Sequence, residues 1–251
     1  MKIPFLRGLT GRMLLLIGSA VLAGLTLMTV VVTHRVTQAA RADALALARQ
    51  RAEALGGAAR ARLDGAMTTA RTLAHACKAL LEKAPQRGTA DAMLRQALTD
   101  NPELMGVWSV WEPNAFDGRD AEFVNKPGHD ATGRYVPNWN RATGAIALEA
   151  NRDYAVAGAG DYYLLPKSTK RECVIEPYVY KVGGREVLMT SLVVPVHDAA
   201  GAVIGVVGVD IALAALGGEL GSIKVGDRGY AALISNGGLY VAHPRMERAG
   251  K

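Results

Sequence analysis

The stretch GAVIGVVGVDIAL, residues 201–213, decides how the rest of this sequence is interpreted. Its run of Val and Ile between Gly residues is typical of a buried β-strand. The run places one carboxylate, Asp210, at its end, where DIAL has the composition of a helix start that continues to Leu220. Two roles are therefore open for Asp210. It caps the following helix, since Asp is a favoured N-cap residue, or it points into a pocket and binds a cationic group.

The composition excludes several classes of protein. The chain has 251 residues, of which 50% are hydrophobic and 21% are charged, so it is too apolar to be disordered. Its formal net charge is +6, but the Lys and Arg residues are scattered among acidic residues. No basic run carries interleaved aromatic residues, and we therefore expect no nucleic-acid partner.

Residues with catalytic or metal-binding chemistry are sparse. Cys77 and Cys173 are the only cysteines, and either a disulfide or two buried thiols is open to them, with the thiols the simpler interpretation. The spacing of Cys, His, Asp and Glu matches no zinc or calcium site. Neither Ser191 nor Ser235 lies in a Gly-x-Ser-x-Gly motif, and there is no phosphate-binding glycine loop. We expect no enzymatic activity, no metal and no cofactor.

The N-terminal segment predicts a membrane anchor. Residues 13–33 carry no charge and no proline, and about 20 residues of helix span the hydrocarbon core of a bilayer. Lys2, Arg7 and Arg12 precede this segment, so the positive-inside rule leaves residues 1–12 in the cytoplasm and the rest of the chain outside. A cleaved signal peptide is the alternative, but its apolar region is normally shorter.

Residues 34–84 are typical of a long amphipathic helix. They contain no proline, and apolar residues such as Leu45, Leu55 and Leu63 recur at steps of three and four along one face. A helix of this length either supports two stacked domains or pairs with a second copy of itself, and the two interpretations are compatible. We expect a stalk and a homodimer. Gly56 and Gly57 mark a possible bend.

The second half of the chain changes to strand-like periodicity. A short helix is expected over 90–99, followed by strands at 104–112 and in the segments CVIEPYVYKV, EVLMTSLVVPV and AVIGVVGVDI. VGGR and DAAG are the turns between the last three strands, and NGG predicts a further hairpin near the end. Helices followed by an antiparallel sheet indicate an α+β fold. Because a terminal hairpin has little to pair with, we expect the chain to be the front part of a longer protein.

An ordered series of motifs resembles a known family. The motifs WEPNAFDGRD, GRYVPNWNR, DYYLLPK, IEPYVYKVGGREVLMTSLVVPV and GVVGVDIALAAL are similar to the membrane-distal module of a double Cache sensor. GDRGYAALISNGGLYVAHP is similar to the start of the membrane-proximal module. The resemblance implies PAS-like sheets beside a long helix, in a bacterial inner-membrane receptor such as a methyl-accepting chemotaxis protein. A histidine kinase, a diguanylate cyclase or a membrane-tethered binding protein without signalling output is the alternative.

The resemblance also implies an arrangement of domains. It predicts a membrane-distal Cache module over 85–222, with a PAS-like antiparallel sheet that holds the ligand, and the start of a membrane-proximal module over 223–251. It further implies cytoplasmic signalling partners, reached through domains that lie beyond residue 251.

The resemblance assigns the ligand contact to Asp210. In relatives that bind amino acids or amines, the acid that ends the GVxGxD strand contacts the ligand ammonium group, and Trp139 matches the family's pocket tryptophan. This sequence departs from the amino-acid-binding pattern, because Pro137 and Asn140 stand where an Arg and an aromatic residue are expected. Arg134 is a candidate substitute for that Arg. We expect a small ammonium-bearing ligand, either an amino acid or an amine.

Aromatic residues concentrated in the same module support a cationic ligand. Aromatic faces attract ammonium groups by about 0.5 to 2 kcal/mol each. Strand alternation places Trp108 on the opposite face to Trp111, and Tyr178 on the same face as Tyr180. For any single aromatic residue, a place in the hydrophobic core is the competing interpretation. The predicted ligand-binding residues are Asp210, Trp139, Tyr162, Tyr163, Trp111, Tyr178 and Arg134.

Overall fold

The structure of the chain is a computed structural model that describes residues 8–83, 85–216, 224–225 and 229–251. Two compact units, 1–54 and 55–251, are described separately. Residues 1–7 of the predicted cytoplasmic segment and the expected helix end at Leu220 lie outside the described residues.

Helix α1 covers Leu9–Lys83 and begins in the first unit. It contains an 18-residue window of mean hydropathy 2.4 whose side chains are not buried, so by length and composition it is able to cross a membrane. The segment predicted at 13–33 lies in this helix. Gly56 and Gly57, which the sequence marks as a possible bend, are helical.

The helical layer of the second unit covers one face of a sheet. The C-terminal part of α1 contributes Ala66, Ala70 and Cys77, and helix α2 (Arg87–Asp100) contributes Leu94 and Leu98. These residues are buried because they repeat at three- and four-residue steps, which places them on one side of each helix. The predicted helix at 90–99 is therefore confirmed, with a start three residues earlier.

Among the described residues, seven strands form one antiparallel sheet in the order β3-β2-β1-β7-β6-β4, and β5 also pairs with β6. The strands are β1 (Gly106–Trp111), β2 (Pro137–Asn140), β3 (Ala147–Ala150), β4 (Cys173–Val174), β5 (Tyr178–Val182), β6 (Arg185–His197) and β7 (Val203–Ala212). Helix α3 (Asp161–Thr169) packs on the face opposite to α1 and α2. The predicted α+β, PAS-like architecture is confirmed.

Short strands follow the sheet. Strand β8 (Lys224–Val225) pairs with β9 (Gly229–Tyr230), and β10 (Leu233–Ile234) pairs with β11 (Tyr240–Ala242). The second pair is the hairpin that NGG predicts. Its turn contacts the rest of the unit, because the backbone N–H of Gly237 donates a hydrogen bond of 2.9 Å to Glu176.

The glycines of β7 explain how two tryptophans fit on opposite faces of the sheet. In the β1–β7 register, Trp108 lies beside Gly208 and Trp111 lies beside Gly205. A Cβ atom on Gly208 would come within 2.2 Å of the Trp108 ring, and one on Gly205 within 2.5 Å of the Trp111 ring. The two glycines of the GVVG motif therefore make room for one indole ring on each face of the sheet.

We expect Gly208→Ala to destabilise the domain by about 1 to 3 kcal/mol, since the added methyl group collides with the buried indole of Trp108. Chemical denaturation of the variant and the parent measures the difference. Gly88→Ala is the matched control, because nothing lies within 4 Å of its Cβ position in α2, and it should be neutral or stabilising. Equal unfolding midpoints for Gly208→Ala and the parent would contradict the stacking.

Candidate ligand-binding site

Asp210 is a buried carboxylate in the middle of the sheet. It lies on β7 between β1 and β6, and 3% of its surface is exposed. Its Oδ1 accepts hydrogen bonds from Trp108 Nε1 at 2.8 Å and from Ser191 Oγ at 2.6 Å. Within the described residues, no hydrogen bond or ion pair uses Oδ2. One oxygen is therefore held by the fold, and the other keeps its capacity to accept.

The position of Asp210 does not fit a helix cap. Strand β7 continues through Ala212, and the helical residues that follow are 213–216. An N-cap side chain accepts from backbone N–H groups two or three residues ahead, whereas both hydrogen bonds to Asp210 come from side chains of neighbouring strands. Of the two roles considered from the sequence, the capping role is wrong.

Four aromatic rings form a cage on the same face of the sheet. The cage consists of Trp108, Tyr162, Tyr178 and Tyr180. The rings of Trp108 and Tyr162 meet edge to face at 5.1 Å, and Tyr162 lies 6.3 Å from Tyr178 and 5.7 Å from Tyr180. Tyr178 is tied to the carboxylate through Ser191: the single hydroxyl proton of Ser191 goes to Asp210, so the phenol of Tyr178 donates to Ser191 at 2.8 Å.

Burial dominates the electrostatics of the cage. It raises the pKa of Asp210 to about 6, although the hydrogen bonds from Ser191 and Trp108 oppose the shift. Burial, followed by the charge of Asp210, raises the pKa of Tyr178 well above its ordinary value. Burial is also the main cause of the raised pKa of Tyr162 and Tyr180. The phenols stay neutral, and the carboxylate is an anion without a described cationic partner.

Strand β2 adds two buried asparagines to this face. In the register, Gly106 of β1 pairs with Asp210 on one side and with Asn140 on the other. Asn138 lies beside Trp108 in the same register. A Cβ atom on Gly106 would lie 2.8 Å from Asp210 Oδ2 and 3.6 Å from Asn138 Oδ1. Because Gly106 has no side chain, the free carboxylate oxygen lies against the β1 backbone, close to Asn138 Oδ1.

Tyr163 and Arg134 belong to a different network at the opposite end of β1. The Tyr163 hydroxyl donates to Glu112, and Arg134 donates to that hydroxyl at 2.6 Å and to the backbone carbonyl of Trp111. Lys167 forms an ion pair of 2.6 Å with Glu112. The structure does not bring Arg134 and Tyr163 together with Asp210.

Trp111 and Trp139 lie on the helix-covered face. Trp111 is fully buried, donates to Ser109 Oγ at 2.9 Å and packs edge to face on Phe116. Trp139 donates to Asp91 of α2 at 3.2 Å and lies under the guanidinium of Arg95. The sheet separates both rings from the aromatic cage.

Comparison with known families decides the identity of this fold. Residues 90–218 match the profile described as methyl-accepting chemotaxis protein-like, first PDC sensor domain, and residues 188–251 match the Cache 3/Cache 2 fusion domain. The chain belongs to the chemotaxis-receptor PDC sensor family. The resemblance to a double Cache sensor is thus confirmed.

Known proteins similar to this sensor domain include a chemoreceptor. Methyl-accepting chemotaxis protein TlpQ of Pseudomonas aeruginosa is 35% identical over 183 residues, which are 67% of this chain and 26% of that protein. The chain therefore spans about a quarter of that relative's length.

Two solved structures share the fold at higher coverage. The extracellular domain of mmHK1S-Z2, assigned to a histidine kinase, is 34% identical with a TM-score of 0.72, covering 81% of this chain and 75% of that one. A structure of methyl-accepting chemotaxis protein X is 28% identical with a TM-score of 0.62, covering 82% and 78%.

Three of the seven residues predicted for the sensor site, Asp210, Tyr162 and Tyr178, meet in the structure. Ser191, Asn138 and Asn140 were not among the predicted ligand-binding residues, and neither were Trp108 and Tyr180, for which only the facing was predicted. A signal was present in each case, since Ser191, Asn138 and Asn140 are polar residues inside strands that are otherwise buried. The pairing register is needed to see that they converge.

We expect Asp210→Asn to become more stable relative to the parent as the pH rises from about 4 to about 8. The folded-state pKa of about 6 lies above the ordinary value, so the protonated carboxyl stabilises the fold at low pH, and that stabilisation is lost as the pH rises through 6. Asn mimics the neutral form at every pH. Denaturation at several pH values should show a relative gain on the order of 2 kcal/mol.

Glu172→Gln is the control for this pH series. The hydrogen bond from Arg71 lowers the pKa of Glu172, so the carboxylate form stabilises the fold and is lost as the pH falls. The variant should shift slightly in the opposite direction, because this ion pair is exposed. A parallel pH dependence for Asp210→Asn and the parent would contradict the buried charge.

Proposed function

We propose that this chain is the periplasmic ligand-sensing part of a transmembrane receptor that binds a small ammonium-bearing solute, an amino acid or an amine. The ammonium group is held by Asp210 and by the faces of Trp108, Tyr162, Tyr178 and Tyr180. The observation that carries the proposal is the buried carboxylate of Asp210, which has one oxygen free and no cationic partner among the described residues.

A cation in the cage satisfies each of these features. It supplies the donor that Oδ2 lacks, and it offsets the cost of burying a negative charge, which otherwise raises the pKa of the carboxyl. Electron-rich aromatic faces attract the same group. Tyr180 also lines a neighbouring cavity of about 220 Å³, which contains Arg152, Asp153, Lys181 and Glu186 and gives charged surroundings beside the cage.

The receptor context follows from the family and from α1. We place residues 1–12 in the cytoplasm, the span at 13–33 in the bacterial inner membrane and the sensor domain in the periplasm, with chemotaxis as the output. The similarity to mmHK1S-Z2 favours a histidine kinase as the second candidate output. The gene sequence downstream of codon 251 tests the two, because a methylated signalling helix bundle and a kinase domain have different sequences.

A homodimer through the stalk is part of the proposal. In the first unit, Leu45 is 62% exposed although it lies on the apolar stripe that runs through Ala48 and Ala52. Leu63, further along the same stripe, packs against the domain's own core. The part of the stripe before residue 55 is therefore the part that a second copy of the chain would cover.

The ligand proposal predicts that Asp210→Asn weakens binding of an ammonium ligand by about 1.5 to 3 kcal/mol, the range for charge-assisted hydrogen bonds. The fold is retained, since Asn still accepts from Trp108 and Ser191. A thermal-shift screen of amino acids and amines, followed by calorimetry on the strongest hit, measures the change. Affinity for that hit should also fall as the pH drops through about 6, because protons compete with the ligand for Asp210.

Asp91→Asn is the matched control for this binding experiment. Asp91 is an aspartate on the other side of the sheet that accepts from Tyr135 and Trp139, so the same substitution there should leave affinity unchanged. Unchanged affinity of Asp210→Asn for the hit would refute the proposed site.

The dimer predicts symmetric disulfide crosslinks in membranes for Leu45→Cys and for Ala52→Cys. Gln50→Cys is the control, because helical spacing places residue 50 on the opposite side of α1. Oxidation followed by non-reducing electrophoresis should give dimers at positions 45 and 52 and few at position 50. Equal crosslinking at all three positions would indicate random collision instead of a stalk interface.

A further inference from the structure

Two buried amide atoms on the Asp210 face of the sheet have no hydrogen-bond partner among the described residues. They are Asn138 Oδ1 and Asn140 Nδ2, and both side chains are about 2% exposed. A buried polar atom without a partner costs about 1 to 3 kcal/mol, so such atoms in a folded domain require an explanation. Here one is an acceptor and the other a donor, and they lie on the face of the sheet that carries Asp210.

The orientation of Asn138 is set by Asn151. The Nδ2 of Asn151 lies 3.2 to 3.3 Å from three backbone carbonyl oxygens, so its Oδ1 must point the other way. That oxygen accepts from Asn138 Nδ2 at 3.0 Å, and Asn138 Oδ1 therefore points toward Gly106, 3.6 Å from its Cβ position. Two acceptors, Asn138 Oδ1 and Asp210 Oδ2, therefore lie close to the same Gly106 position, and a donor between them would satisfy both.

The orientation of Asn140 is set by the turn that follows β2. Its Oδ1 accepts from the backbone N–H of Ala142 at 3.3 Å, which leaves Nδ2 to point away from the turn. Because Asn140 and Asp210 flank Gly106 in the register, with strands about 4.8 Å apart, they are separated by about 10 Å along the direction of the hydrogen bonds. A small molecule above Gly106 is long enough to reach both.

We infer that Asn138 and Asn140 determine the specificity of the ligand site. This inference rests on the proposed function. The ligand ammonium lies between Asp210 Oδ2 and Asn138 Oδ1. Asn140 Nδ2 donates to a neutral hydrogen-bond acceptor, such as an ether, hydroxyl or carbonyl oxygen, two or three atoms from the nitrogen. The site thus selects amines that carry an acceptor over simple alkylamines.

A pair of nearly isosteric probes tests this inference. 2-Methoxyethylamine and n-butylamine have the same charge and length and differ by an ether oxygen in place of a methylene group. Their affinities are measured by NMR titration on the 251-residue chain in lipid nanodiscs, for the parent, Asn140→Leu, Asn140→Asp and Asp210→Asn. The ratio of the two dissociation constants cancels contributions that the probes share.

The parent is expected to bind the ether at least as tightly as butylamine, despite the greater cost of dehydrating an oxygen. Both Asn140 variants lack the donor, and the ratio should shift toward butylamine by about 3- to 10-fold in each, the range for one neutral hydrogen bond. Asn140→Asp keeps the size of the side chain and the oxygen that accepts from the Ala142 N–H. It therefore tests the loss of the donor even if Asn140→Leu folds poorly.

The outcomes separate this inference from the proposed function. If Asp210→Asn weakens the binding of both amines but the ratio of their dissociation constants is unchanged in the Asn140 variants, the inference is overturned. The ammonium site then still stands. If neither amine binds the parent, or if both bind Asp210→Asn as well as the parent, the ammonium site and the inference fall together. A shifted ratio together with loss of binding in Asp210→Asn supports both.

Discussion

The burial of a single carboxylate constrains the centre of this sensor domain. Asp210 cannot be hydrated in the middle of the sheet, so its donors must come from the neighbouring strands, and they do so as Trp108 of β1 and Ser191 of β6. Both donors reach it only in one register, because a shift of one residue would turn every side chain to the opposite face. The register that pairs the three central strands is therefore also the register that brings both hydrogen-bond donors to Asp210.

The sheet divides the domain into two faces with different tasks. The face against α1 and α2 is packed with aliphatic side chains and carries polar contacts at its margin, such as that between Trp139 and Asp91. The face under α3 carries Asp210, the tyrosines and two incompletely paired asparagines. An arrangement that costs stability without a ligand is common at binding sites, where a ligand completes the hydrogen bonds.

Local sequence patterns were sufficient for the architecture and insufficient for the site. The apolar segment in α1, the three- and four-residue repeat and the opposite facing of Trp108 and Trp111 follow from short-range periodicity, and the structure agrees. The expected helix start at Asp210 was wrong, since helical residues begin only at Leu213, because pairing with β6 extends β7 to Ala212, which no local propensity reveals. Likewise, the motif match for Trp139 did not show its facing, which depends on its pairing with Val107.

The positions of the three tryptophans give this domain a built-in optical label. The indole of Trp108 donates to the carboxylate of Asp210 and contacts the ring of Tyr162, whereas Trp111 and Trp139 lie beyond the sheet. Indole emission responds to the field of a nearby charge. A change in the charge of Asp210 therefore acts directly on the fluorescence of Trp108, whereas the other two tryptophans lie on the opposite face of the sheet.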